Sequence, residues 1–398
     1  MKFKFLIFII FIFSIVLILV AQSGMANASM HDEAIRDQNL LLGNEPPKPH
    51  VDTEAIKQSS EDAKAKAEGS LFLVPAPFYS PETSVGVNLL LFKVFPFDSD
   101  KDSKDQSNIL SYLTYTAKQQ IAFSATPTYY WSHGDNLFAG EVGYKSWPDQ
   151  FFGIGNSTSS TPEAYSVQTL YLRPRLYHRF IGNWSAGPFY ELQDDVITSL
   201  TPGQSLSQGS IPGSLGDFQS GVGAAVRYDS RDIPFFPSKG ELLDVALTDF
   251  TGMLGSQYNY LRFTVDGHQY FQITDRNIIA AEIYLRTTNG VVPFESMSIL
   301  GGNQYMRGVY AGRFRDKDFL LGQIEYRFPI YKRLGAAVFG AMGEVADELA
   351  DLSASYTQST AGGGLRYILN VQQQLNVRVD YGSGPYTSGV YIAVGEAL

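Results

Sequence analysis

Along most of this chain apolar and polar residues alternate one by one. In Tyr258 to Phe271, YNYLRFTVDGHQYF, one face carries Leu261, Phe263 and Val265, and the other carries Arg262, Thr264, Asp266 and His268. NIIAAEIYLRTT repeats the scheme, with Ile279, Ala281, Ile283 and Leu285 set against Glu282 and Arg286. LLGQIEYRF groups Gln323, Glu325 and Arg327, and QLNVRVDYG groups Asn376, Arg378 and Asp380. A period of two marks a strand, because successive side chains leave the pleat on opposite sides. The pattern predicts sixteen strands, near 71–78, 84–95, 108–116, 119–131, 135–146, 164–180, 183–195, 216–230, 240–250, 256–272, 275–288, 317–328, 333–346, 357–369, 374–381 and 386–396. Tight connections such as TDRN and IYKR alternate with long ones such as SLTPGQSLSQGSIPGSLGD.

Strands of this length, apolar on one face and charged on the other, suit a transmembrane β-barrel with a wet interior, and such barrels have even strand numbers. A soluble sandwich with one exposed face usually has shorter strands. The expected fold is therefore all-β, a 16-stranded antiparallel transmembrane barrel. With a periplasmic start, short turns face the periplasm and long loops face outward. The connection after the eleventh strand is then extracellular.

The N-terminus changes the picture by naming a compartment. Lys2 and Lys4 precede the apolar run Phe5 to Ala21, and Ala26-Asn27-Ala28 follows. Charge, apolar core and small residues in that order read as a secretory signal peptide over residues 1–28. Residues 29–69 are polar, acidic and interrupted by proline, a linker with at most one short helix that is too small to bury a core. Residues 70–398 form the expected barrel.

Composition removes several functions. The formal net charge of −10 argues against a nucleic-acid partner, which needs a basic face. The chain has no Cys, so it has neither disulfides nor thiolate chemistry. His31, His50, His133, His178 and His268 show no metal-ligand spacing. Asp98, Asp100 and Asp102 are spaced like a calcium loop, but the glycine and glutamate such a loop needs are missing. There is no G-x-S-x-G. No catalytic residue, cofactor or metal is expected, and the chain is not read as an enzyme.

One stretch breaks the alternation. SILGGNQYMRGVYAGRFRDKDF, Ser298 to Phe319, is rich in glycine and arginine and follows the eleventh predicted strand. Within it YMRGVYAGRFRD, together with YDSRDIPFFPSKGELLDV, GGGLRY and VRVDYGSG, resembles the BamA/TamA-type barrel, the bacterial surface antigen family. The resemblance covers about residues 70–398. It implies sixteen strands and a loop after the eleventh that folds back into the lumen, with an Arg-Gly pair at its tip touching the inner wall. Arg307 and Gly308 match that pair. A guanidinium there requires a carboxylate to dock on. The acid of the family's F-x-D-x-G pattern is Ala341 here, between Phe339 and Gly343. Asp380 is the first choice in its place and Glu325 the second, with Glu344 also considered. The family's periplasmic domains do not fit into 29–69, and Leu398 stands where the family ends in an aromatic residue.

The first strand, LFLVPAPF, carries Pro75 and Pro77, which send two missing N–H groups toward one neighbour. If that neighbour is the last strand, the barrel seam is weakly bonded; if it is the second strand, the seam is unaffected. The resemblance implies membrane-protein insertion or transport across the bacterial outer membrane. Expected partners are outer-membrane lipid, and unfolded barrel proteins or a separate periplasmic chain; a monomer is expected. The alternative is a passive or gated pore, or a structural barrel. A hydrolase ranks last, for want of a nucleophile and base.

Overall fold

A computed structural model describes residues 71–95, 107–232, 236–274, 276–370 and 375–398. The signal segment 1–28, the linker 29–69 and the run Asp98 to Asp105 lie outside the described residues.

The strands are β1 (Leu71–Ser80), β2 (Ser84–Phe95), β3 (Ser107–Thr116), β4 (Ile121–Trp131), β5 (Asn136–Ala139 continued by Val142–Phe151), β6 (Glu163–Leu172 continued by Arg175–Ile181), β7 (Trp184–Leu200) and β8 (Asp217–Asp229). They continue with β9 (Gly240–Phe250), β10 (Tyr260–Thr274), β11 (Asn277–Gly290), β12 (Asp318–Tyr331), β13 (Leu334–Ala346), β14 (Gln358–Asn370), β15 (Leu375–Ser383) and β16 (Ser388–Val394). Each pairs antiparallel with its neighbour, and β1 meets β16 at Tyr79↔Ile392 to close the sheet. The result is the sixteen-stranded barrel that the alternation predicts.

The interruptions of β5 and β6 have one cause. They lie at the same level, where Pro174 has no N–H to offer. The register continues through them, because Glu141 and Arg173 exchange both backbone bonds (3.2 and 2.7 Å). The fifth strand runs on to Phe151, five residues past its predicted end at 146, and the tenth begins at Tyr260 rather than 256.

The two faces invert the order of a soluble protein. Ile324, Val338, Leu365 and Val379 are exposed, whereas Glu325, Arg366, Arg378 and Asp380 on the opposite face are buried. Lipid is the environment in which the exposed set is stable. Closing the sheet also pairs most of the backbone groups that an open sheet's edges would leave bare in hydrocarbon. The long connections 152–162, 201–216, 251–259, 291–317 and 347–357 all leave from one end of the barrel. At the other end the connections 132–135, 182–183 and 332–333 are tight.

Such a barrel keeps its shape in detergent until heated. Unboiled and boiled samples should migrate differently on a cold detergent gel. Identical migration, with the chain fractionating as a soluble protein, would contradict the barrel.

Candidate functional site: a loop docked on charged wall residues

The connection 291–317 between β11 and β12 is not a loose excursion. Ser298–Leu300 pairs with Phe314–Asp316 as a short antiparallel ribbon, and the segment between them forms the tip. Leu300, Met306, Val309 and Phe314 pack against Tyr284 of β11, Phe319 and Leu321 of β12, and Ala341 and Val345 of β13. Apolar packing of this kind holds the loop against the wall before any charge is counted. Met306 has φ of 88°, a left-handed conformation that costs a residue with a side chain roughly 1–3 kcal/mol. Its burial and the bond from its N–H to Gln323 Oε1 (3.3 Å) hold it there.

That turn aims Arg307. Its side chain is 2% exposed, with Nη1 2.5 Å from Asp380 Oδ2 and Nη2 2.6 Å from Glu325 Oε2. The guanidinium carbon also lies 3.5 Å from the centre of the Phe339 ring, a cation–π contact in a dry setting. Two of the three acids considered from the sequence, Asp380 and Glu325, therefore bind Arg307 at once. Glu344 does not join them; it accepts from Thr357 Oγ1 (3.1 Å). Ala341 sits in the apolar cluster, so packing with Met306 and its neighbours fills the position where the family has an acid.

The two carboxylates serve other cations too. Asp380 accepts from Arg378 Nη1 (2.5 Å) and from Arg366 Nη1, and Glu325 accepts from Arg327 Nε (2.8 Å) and Arg366 Nη2 (3.3 Å). Glu396 accepts from Arg366 Nε (2.9 Å) and faces Arg327 Nε at 3.6 Å. Arg378 Nη2 returns to the loop by donating to Asn303 Oδ1 (2.6 Å). Leu398, where the family has an aromatic residue, is buried beside Tyr270 and Ala280.

Gly308 has no room for a side chain. With φ of 106°, a Cβ there would sit 2.7 Å from Ser383 N and 2.9 Å from Gly382 C of β15. Its N–H donates to Tyr391 Oη of β16 (3.0 Å), and its carbonyl accepts from Thr387 Oγ1 (2.6 Å). Three residues on, Ala311 N–H donates to Glu82 Oε1 in the β1–β2 turn (2.8 Å). The tip thus holds one strand on each side of the closure, β16 directly and β1 through its turn.

The base of the loop is anchored on the far side. Arg315 Nη1 donates to Phe294 O (2.9 Å) and lies 3.4 Å from Glu295 Oε1, which also accepts from Tyr165 Oη (2.6 Å). Burial opposes charge on Glu295, but Lys145 and Arg315 outweigh it and hold its carboxyl below the ordinary value of 4.5. Its anchoring is complete above that value and is lost only as pH falls through the lowered one. The 152–162 connection reaches the same region: Gly155 N–H donates to Arg315 O (2.7 Å), and Asn156 Nδ2 donates to Val345 O (2.6 Å).

The prolines lie on the closure. Ala117 N–H donates to Val85 O (2.8 Å), so Val85 directs its backbone groups at β3, and Gly86 and Asn88 direct theirs at β1. Phe78 and Ala76 are opposite Gly86 and Asn88, which makes them the residues of β1 that bond β2. Pro75, Pro77 and Tyr79 must then face away from β2, toward β16. Among the described residues one registered pair, Tyr79↔Ile392, joins β1 to β16, against ten between β1 and β2.

Tyr391, Glu82 and Gly382 were not singled out in the sequence, and Phe339 was noted there only as part of the F-x-D-x-G pattern. Their roles depend on strands remote in the chain, although the GSG in VRVDYGSG marks where a backbone can approach closely.

Residues 68–385 match the family described as the Omp85 superfamily domain. Among curated proteins none matches the sequence. The fold is similar to that of BamA from Haemophilus ducreyi lacking POTRA domains 1–3, with TM-score 0.57 and 12% identity over 88% of this chain and 80% of that one. CdiB from Escherichia coli gives TM-score 0.54 and 11% identity over 89% of this chain and 72% of its own. CdiB from Acinetobacter baumannii gives 0.52 and 11% over 82% and 59%.

The network ranks its own mutants. Arg307→Ala removes the anchor but leaves Asp380 and Glu325 paired to other guanidiniums, so its cost should fall below the ~3–5 kcal/mol of a broken buried pair. Asp380→Asn leaves Arg307, Arg366 and Arg378 crowded around a neutral amide and should cost more. Adding Arg307→Ala to Asp380→Asn should relieve part of that repulsion, so the double variant loses less than the sum. The temperature at which the folded gel band disappears reads all three, and additive losses would exclude the coupling.

Proposed function

The chain belongs to the Omp85 superfamily, and on that premise we propose that it inserts proteins into the bacterial outer membrane, or moves them across it, by parting β1 from β16. The observation that carries this reading is the seam. Two prolines remove donors from the edge of β1 that faces β16, and among the described residues a single registered pair joins the two strands. Backbone bonds in hydrocarbon are costly to break because no water replaces them. A seam already short of them is the cheapest place to open. An incoming strand could then pair with the exposed edge.

The partners on this reading are outer-membrane lipid and an unfolded barrel protein, with a separate periplasmic chain as a further partner. The protein acts as a monomer. A passive or gated pore is the competing reading, favoured by the polar inner wall. It is disfavoured by a loop tip whose arginine is fully engaged with that wall. No reaction chemistry is assigned to the site.

The chain lacks cysteine, so Tyr79→Cys with Ile392→Cys gives a clean crosslink across the seam. Bridged by oxidation or a short bifunctional thiol reagent, this variant should lose the ability to fold a barrel client into liposomes, and reduction should restore it. Undiminished insertion by the crosslinked protein would sink the seam mechanism. Planar-bilayer conductance tests the pore: deleting Gly301 to Arg315 should raise conductance from a low wild-type level. A large, steady wild-type conductance would favour the pore instead.

A further inference from the structure

The inner wall holds a second cluster that the loop does not use. Asp266 and His268 lie two apart on β10 and so share a face, and Glu282 of β11 stands opposite His268 in register. One donor atom from each lies within 4.8 Å of the others. His268 Nε2 is 2.9 Å from Asp266 Oδ1, yet that buried oxygen has no hydrogen-bond partner, and neither has buried His268 Nδ1. The contact is a close ion pair without an aligned hydrogen bond, and the other ring nitrogen is left unsatisfied. Among the described residues, no lysine or arginine lies within 4 Å of either carboxylate. The arginines that face the cluster are paired elsewhere, Arg231 with Asp229 and Arg307 with Glu325 and Asp380.

We propose that Asp266, His268 and Glu282 bind a divalent transition-metal ion of the zinc class on the inner wall. An imidazole with two carboxylates suits zinc and its first-row neighbours better than calcium or magnesium, which favour all-oxygen sets. Ligand bonds of about 2.0–2.2 Å would draw the three donors closer by small side-chain rotations. Three protein ligands leave coordination positions open to the lumen. The supporting shell is present as well. Gln323 Nε2 donates to Glu282 Oε2 (2.8 Å) and to Gln304 O of the loop (2.7 Å), and its Oε1 accepts from Met306 N–H. Ligating carboxylates are characteristically held by such bonds. Through Gln323 the ion would steady the turn that aims Arg307. The sequence hid this site because its ligands are joined by cross-strand register rather than by spacing along the chain.

The test uses the full chain, folded in detergent without a histidine tag. Titration with zinc should saturate at one equivalent per chain, and cobalt should give visible d–d absorption of an imidazole–carboxylate site. His268→Ala should weaken binding by more than the roughly 10–100-fold typical of outer-shell changes. Asp266→Asn and Glu282→Gln, which preserve shape, should each weaken it too. His178→Ala, an exposed histidine on β6, should bind as the wild type does. The heat-dependent gel shift checks that each variant is folded. Absence of saturable binding in the wild type, or unchanged binding in folded His268→Ala and Glu282→Gln, overturns the site and leaves only adventitious ion at the other histidines.

Discussion

Two carboxylates on the inner wall, Asp380 and Glu325, gather four guanidinium groups, and the arrangement of β12, β14, β15 and the β11–β12 loop follows from them. A buried charge costs several kcal/mol unless its partners are well placed. Here each acid takes three arginines, and Arg307 reaches both with its planar fork. A lysine could not do so, since its ammonium is a single point of charge. Glu396 joins the same cluster through Arg366 and Arg327, and Arg327 Nη2 also donates to Leu398 O (2.6 Å). The Phe339 ring beneath Arg307 adds a cation–π contact.

Charge alone does not place the loop. Relative to the pattern its family resemblance suggests, the chain has given up an acid at Ala341 and gained an apolar seat around Met306, Val309 and Phe314. The exchange has a physical logic. Asp380 and Glu325 already supply the two faces that a bidentate guanidinium needs, and a third carboxylate beside them would have to be desolvated without a cation of its own. Apolar packing at Ala341 contributes to docking without that cost.

The period-two pattern made the strand number, the two faces and the position of the loop readable, because in lipid the outer face tolerates only apolar residues. Arg307 and Gly308 were singled out by the family resemblance, and Asp380 and Glu325 followed because a buried guanidinium requires an acid and inward strand positions are few. That both acids bind it together was not readable: β13 and β14 separate β12 from β15, and only the curved wall lets one guanidinium reach acids on both. The same limit hid Tyr391 and Glu82, and it hid the facing of His268 on Glu282. Pro75 and Pro77 announced an orphaned edge but not which one. That required knowing that Val85 bonds β3, a fact about β2.

The weak seam and the docked loop are one mechanical problem. Gly308 bonds Tyr391 on β16, and Ala311 bonds Glu82 beside β1, with two residues between them. A stretch that short cannot lengthen by a strand spacing of about 4.8 Å while both bonds hold and Arg307 stays clamped. Parting β1 from β16 therefore requires the tip to release one side first. Release on the β16 side disturbs the glycine contact at Gly382 and loosens Arg307, whereas release at Glu82 breaks a single hydrogen bond at the rim. The second is far cheaper, so on the proposed mechanism β1 would be the strand that swings, with the loop staying on β12, β15 and β16 as part of the fixed wall.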